Sequence, residues 1–411
     1  MNKCFFKILP VIAMMLLAVN QVWADDTAGQ YFGYFRAGVG ANSEHVGGQA
    51  CFGLPGVPKY RFGNECDTYG EFGYAKELAR SANGTSFVAT VMSNYYAADS
   101  VGNGKNWGLT QMMVEAKNLD FMHGGTVWVG KRYYNRPDVH VIDTQMVGMD
   151  GVGAGIDGIP VGPGKFSYAF MRDDNLDPGS TTVVTGSSSA TRHQFLYHDV
   201  PVNVNGFVNF DATIITANSM LPNATGGYSL SIAHKQAQIF GGDNTLWLQY
   251  GAGAGAQKPG QVGRILAGSA TTQARIADQL IWRLNSNFTG SLNFIYQRNQ
   301  QPGGSTTWTS IGTRPTYSLA DNVKLVLDIG HDRLTQQVGR AMELTKISFG
   351  PVLSAGRGFW DRPELRAIVT YAKWNQAAQA ASAPGSTLSS TGVFGTATRG
   401  ISFDTQVEVW F

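Results

Sequence analysis

The sequence predicts an all-β chain closed into a transmembrane antiparallel barrel, and three features carry that expectation. An apolar leader opens the chain, no later apolar run is long enough to span a bilayer as a helix, and short segments of alternating polarity recur to the last residue. The final segment, FDTQVEVWF (403–411), is the plainest case. Phe403, Thr405, Val407, Val409 and Phe411 share one face of a strand, and Asp404, Gln406, Glu408 and Trp410 share the other. One face suits hydrocarbon and the other suits water, yet the watery face carries an indole.

The leader reads MNKCFFKILPVIAMMLLAVNQVWA. Lys3 and Lys7 precede an apolar run, Ile8 to Val19, and the stretch ends on Val22-Trp23-Ala24. That is a signal peptide over 1–24, cut after Ala24, with the barrel domain expected over 25–411. The formal charge of +2 falls to near zero once the two leader lysines are gone. No basic patch interleaved with aromatics suggests a nucleic-acid partner. Cys4 leaves with the leader, so Cys51 and Cys66 form an even pair in an exported chain and read as a disulfide. Gly is high at 51 residues and charged residues are low at 15%, as expected when half of each strand faces lipid.

Strands are expected at 126–134, 165–172, 206–214, 245–253, 324–332 and 364–374, where polarity alternates between clusters of Gly, Asn, Asp and Ser. Long loops are expected at 41–58, 99–108, 135–164, 173–192 and 375–398. The last is small and polar, as an exposed loop would be. Length alone supports a large barrel without fixing its strand number.

Patterns for catalysis are missing. GAGAGA (251–256) loosely matches a dinucleotide fingerprint, but QKPGQVG follows where a helix is required. The histidines form no H-E-x-x-H; His193 and His198 read as solvated loop residues and not as a metal site. No G-x-S-x-G is present. No cofactor and no enzymatic activity are expected.

The informative residues are aromatics in phase with charge. Tyr34 alternates with Arg36, Tyr69 with Asp67 and Glu71, Trp360 with Arg362, Glu364 and Arg366, and Trp410 with Glu408 and Gln406. Charge on the lipid face costs about 2–4 kcal/mol at mid-membrane, so the shared face is the lumen. A pyranose offers an apolar face of C–H groups and an edge of hydroxyls. Flat rings suit the first, and Arg, Asp and Glu suit the second.

At this point YFGYFRAGVG, KYRFGNECDTYGE, AKNL, VWVGKRYYNRPDVHVID, GAGID, TRPTY (313–317), FWDRPELRAIVTYAKW and the final VEVWF resemble maltoporin, the sugar-specific porin family of Gram-negative outer membranes. The resemblance implies 18 strands, a homotrimer and an inward-folded third loop that narrows the pore. It implies a slide of lumen rings at Tyr34, Tyr69, Trp360 and Trp410, with Trp107 as the candidate tryptophan lent by a neighbouring subunit. It implies a charged track at Arg36, Arg61, Glu71, Arg136, Asp138, His140 and Asp143, and it matches Cys51–Cys66 to a first-loop disulfide. Gln145 stands where the family places a constriction tyrosine, Thr110 stands where it places a further arginine, and a mid-chain slide phenylalanine has no match. The expected function is facilitated diffusion of maltose and maltodextrins across the outer membrane. The alternatives are a porin for another oligosaccharide, of sucrose or β-glucoside type, and a non-specific general porin.

Overall fold

The computed structural model describes residues 29–98, 105–173, 190–218, 223–257, 259 and 265–411. The expected leader, residues 99–104 of one candidate loop and 174–189 of another lie outside the described residues.

Alternating segments pair with their sequence neighbours, as hairpin-connected strands do. The strands are β1 Gln30–Asn42, β2 Thr68–Arg80, β3 Ser86–Ala97, β4 Asn106–Leu119, β5 Gly125–Tyr134, β6 Met149–Val161, β7 Gly164–Asp173, β8 Ala190–Asn203 and β9 Gly206–Ala217. They continue with β10 Gly227–Ile239, β11 Gly242–Gly253, β12 Thr272–Arg283, β13 Phe288–Gln301, β14 Gly304–Thr313 with Thr316–Ala320, β15 Val323–Gln336, β16 Met342–Ser354, β17 Glu364–Trp374 and β18 Arg399–Trp410. The sheet contains 19 segments. Two of them are halves of β14, interrupted at Arg314-Pro315 because proline cannot donate to the ladder. The barrel is therefore 18-stranded, and it closes where β1 pairs with β18 from Tyr34↔Trp410 to Asn42↔Ser402.

The two faces separate as the alternation requires. Along β18, Phe403 is 49% exposed on the outer face while Asp404, Gln406 and Glu408 are buried inside. Ile214, Leu230, Leu248, Ile276, Leu292, Phe349 and Leu365 join Phe403 in the outer apolar band. Long connections such as 43–67, 135–148 and 375–398 leave one end of the barrel, and short turns such as 162–163, 204–205 and 240–241 close the other. In outer-membrane barrels the long-loop end is extracellular.

The lumen is partly filled. The 43–67 loop folds inward and buries Phe52, Tyr60 and Phe62 almost completely. The Tyr60 ring lies flat over Gly312 and Gly330, where a Cβ would come within 2.2 and 2.1 Å of ring atoms. Its hydroxyl bonds Ser310 at 2.9 Å. Lys346 donates to the Phe62 carbonyl at 2.6 Å and Thr370 to that of Gly63 at 3.0 Å. The Cys51–Cys66 disulfide is present and staples the same loop. The 135–148 loop also turns inward, burying Val139, Val141, Ile142 and Met146, and is tied to its neighbour by Arg61 N–H to the Val141 carbonyl at 3.0 Å.

Four sequence expectations need correction. The loop expected over 135–164 ends at 148, and 149–161 is strand β6; its glycines at 151, 153, 155 and 158 hide the alternation. The 375–398 loop is not simply exposed: it carries a short helix, Gln376–Ala381, and buries Leu388 and Phe394, the latter stacked on Phe52 at 5.8 Å. His193 and His198 lie in β8, not in a loop; His193 bonds Tyr168 and His198 bonds Asp211. Trp107 lies in strand β4 instead of a loop.

Candidate functional site

Beside the inward loops, against β1, β2 and β18, lies a cavity of about 570 Å3. Its walls include Tyr34, Arg36, Arg61, Tyr69, Glu71, Arg136, Asp138, His140, Asp143, Gln145 and Trp410. The structure thus brings together most of the residues singled out in the sequence.

The rings form a row because barrel register stacks them. Arg36 pairs with Tyr69 across β1–β2, and Tyr34 pairs with Trp410 across β1–β18. Tyr69 and Tyr34 have centroids 6.1 Å apart, and Trp410 and Trp360 6.2 Å apart. Trp360 is not on a strand but in the 355–363 connection, at the short-turn end. His140 meets both indoles edge-on, at 5.6 Å from Trp410 and 5.8 Å from Trp360. The row descends from near the extracellular end toward the periplasmic end.

Charge lies behind and beside these rings. Glu408 receives Arg362 at 2.9 Å, His140 at 3.2 Å, Arg61 at 3.5 Å and a short contact from Arg366. Arg36 pairs with Asp67 at 2.7 Å and with Glu65 at 3.2 Å, and Arg61 pairs with Glu65 at 2.6 Å. Arg61 also donates to the Tyr34 hydroxyl, which itself donates to Glu408 at 3.1 Å. Tyr69 donates to Glu71 at 2.6 Å. Arg362 sits 4.3 Å from the Trp410 ring and Arg36 5.1 Å from that of Tyr69. An indole among Asp, Gln and Glu is therefore one half of a two-sided surface: flat rings held by buried ion pairs, with polar atoms along their edges.

The 135–148 loop supplies the opposite wall. Asp138–Val139 and Thr144–Gln145 form a minimal hairpin, with Asp143 in the left-handed region at φ 56°. Burial, and then the Arg61 guanidinium, hold the His140 imidazolium pKa below the usual histidine value. The hydrogen bonds agree, since Nδ1 faces an Arg61 N–H at 2.9 Å and Nε2 faces Glu408 at 3.2 Å. A neutral ring with its proton on Nε2 satisfies both. Burial raises the Asp138 pKa.

Two singled-out positions fall elsewhere. Trp107 pairs with Tyr95, and the two rings meet at a tilt with centroids 5.0 Å apart. Tyr96 lines the cavity, so Tyr95 and Trp107 face outward, and Trp107 is 68% exposed. It does not reach the lumen of its own barrel. Thr110 occupies a register shift between β3 and β4 and donates to the Met92 carbonyl at 2.9 Å. Tyr96 and Tyr133 also line the cavity and were not singled out in the sequence. Tyr133 stacks under Arg136 at 3.7 Å; its position at the foot of the loop, one residue before Tyr134, gave no phase to read.

A model of the LamB porin family matches residues 30–411. The chain belongs to that family. Among solved structures it is similar to OccAB1 of Acinetobacter baumannii, with a TM-score of 0.51 and 11% identity over 95% of this chain and 98% of that one. It is also similar to OccK2 (OpdF) of Pseudomonas aeruginosa, solved in complex with glucuronate, with a TM-score of 0.52 and 9% identity over 95% and 99%. At such identities the likeness shows the barrel fold alone. This LamB porin is accordingly an outer-membrane β-barrel channel.

Proposed function

We propose that this LamB porin is a carbohydrate-specific channel that passes oligosaccharides, maltose and maltodextrins foremost, by facilitated diffusion. The observation that carries the reading is the row Tyr69, Tyr34, Trp410, Trp360, whose rings share a face with buried ion pairs along one wall of the lumen. Pyranose rings would lie on the aromatic faces while Arg36, Glu71, Asp138 and Asp143 meet the hydroxyls. Each contact is modest, so a sugar can move on to the next ring. The homotrimer implied by the family resemblance belongs to the same proposal; Trp107, outward and near the extracellular end, is the ring available to a neighbouring copy.

The test is sugar block of conductance in Trp410→Ala. Losing one stacking contact worth about 0.5–1.5 kcal/mol weakens block roughly two- to tenfold in a folded protein. Unchanged block would refute the slide.

One observation favours a general porin instead. Gln145, an amide without a ring, occupies the inward hairpin at the wall of the cavity. A general porin would conduct ions with no saturable block by any oligosaccharide.

A further inference from the structure

Opposite the aromatic row, the lumen wall formed by β11, β12 and β13 carries a second polar surface. Arg275 on β12 lies inward between Gln249 and Gln297, its register partners. It is 7% exposed. Its Nε donates to Gln297 Oε1 at 2.7 Å, and Nη1 and Nη2 donate to Gln249 and Gln273 at 3.3 Å each. Guanidinium has five N–H groups, so these bonds leave two for another acceptor. All three partners are neutral amides. Among the described residues Arg275 forms no ion pair, whereas Arg61, Arg314, Arg362 and Arg366, also buried, each have a carboxylate. A buried cation held only by neutral groups is costly unless an anion completes it.

The surroundings are built for polar contact. Arg275 and Gln273 line a cavity of about 460 Å3 shared with Thr144, Gln145 and Gln257 and, on the side of the 135–148 loop, with the carboxylates of Asp138 and Asp143. Gln273 donates on to Asn299 at 2.9 Å, and Asn299 to Thr306 at 3.2 Å. Gln249 is fixed from behind by its own bonds to the Met146 carbonyl at 2.8 Å and to Ser231 at 3.0 Å. The guanidinium is therefore pre-oriented, with little left to order on binding. The same cavity borders the aromatic-row cavity, since Asp138, Asp143 and Gln145 line both.

We infer that Arg275, in its cradle of Gln249, Gln273 and Gln297, is a subsite for an anionic substituent on a saccharide, such as the carboxylate of a sugar acid. The inference rests on the proposed saccharide pathway and extends it to acidic sugars. A charge-assisted bond to the two remaining N–H groups gives an acidic ligand about tenfold tighter block than its neutral counterpart.

The experiment compares maltotriitol with maltotrionate, which share an open-chain end and differ there in a CH2OH against a carboxylate. Block of the bilayer-inserted protein is titrated with each at about 0.1 M salt, where charges remain sensed over about 10 Å. Expected is about tenfold tighter block by maltotrionate, abolished in Arg275→Gln, partly kept in Arg275→Lys, with maltotriitol block within about twofold throughout. Equal block by the two ligands in the unsubstituted protein overturns the inference, as does a preference that survives in Arg275→Gln. In either case block by maltotriitol leaves the saccharide pathway standing. Block by neither ligand removes both.

Discussion

Replacing Glu408 by Gln removes the charge on which the aromatic row is assembled while keeping the shape of the side chain. Glu408 is 1% exposed and faces Arg61, Arg362, Arg366 and His140 at once. Breaking one buried pair by removing a partner costs about 3–5 kcal/mol. The loss here belongs at the lower end, because the arginines keep other carboxylates: Arg362 and Arg366 retain Glu364 at 3.0 and 2.6 Å, and Arg61 retains Glu65 at 2.6 Å. About 3 kcal/mol is expected. Equilibrium urea unfolding in lipid vesicles, followed by tryptophan fluorescence, measures it. A change below about 1 kcal/mol, the value of a solvated surface pair, would show that the cluster is hydrated and does not hold the rings.

Other outcomes follow from the same geometry. Gln145→Tyr adds a ring to the inward hairpin and is expected to lower single-channel conductance; an equal or higher conductance would place that residue away from the narrowest point. Reduction of Cys51–Cys66 reopens a loop of 15 residues, with about 3 kcal/mol lost by the chain-entropy relation, read as a shift in urea midpoint with and without reductant. His140 makes stability depend on pH. Its folded pKa is lowered by burial and Arg61 against the pull of Glu408 and Asp138, so the unfolded chain binds the proton first. The His140 contribution is complete above its unfolded pKa of about 6.5 and is lost as pH falls below it. Asp138, whose folded pKa is raised, works in the opposite sense at lower pH. His140→Asn is expected to flatten the unfolding free energy between about pH 7 and 5, and an unaltered slope would assign the titration elsewhere.

Legibility of the fold followed the contrast between faces. The 364–374 segment alternates without interruption and is strand β17 over those same residues. The β6 segment has glycines where side chains would reveal a face, so it read as loop. The 375–398 loop looked polar because its composition is small, but two of its few large apolar side chains, Leu388 and Phe394, are those it buries. Tyr34, Tyr69 and Trp410 were legible because their strand neighbours are charged. Trp360 shares its phase with Arg362 only by proximity, since it lies ahead of the strand. Trp107 shows the limit of phase as a guide: Tyr95 and Tyr96 adjoin in sequence, and only the pairing of Tyr96 with Tyr69 of β2 puts it in the lumen and leaves Tyr95, with its β4 partner Trp107, outside. Arg275 alternates with Gln273 like any lumen residue; that no carboxylate among the described residues pairs with it is a property of three strands brought together, which no single segment encodes.

The most direct measurement is planar-bilayer conductance of the purified protein during titration with maltohexaose, a ligand long enough to lie along several rings of the row. Saturable block is the expected result if, as proposed, Tyr69, Tyr34, Trp410 and Trp360 together form a binding surface along the conducting path. Steady conductance with maltohexaose, and equally with sucrose and cellobiose, would contradict it and leave a general pore.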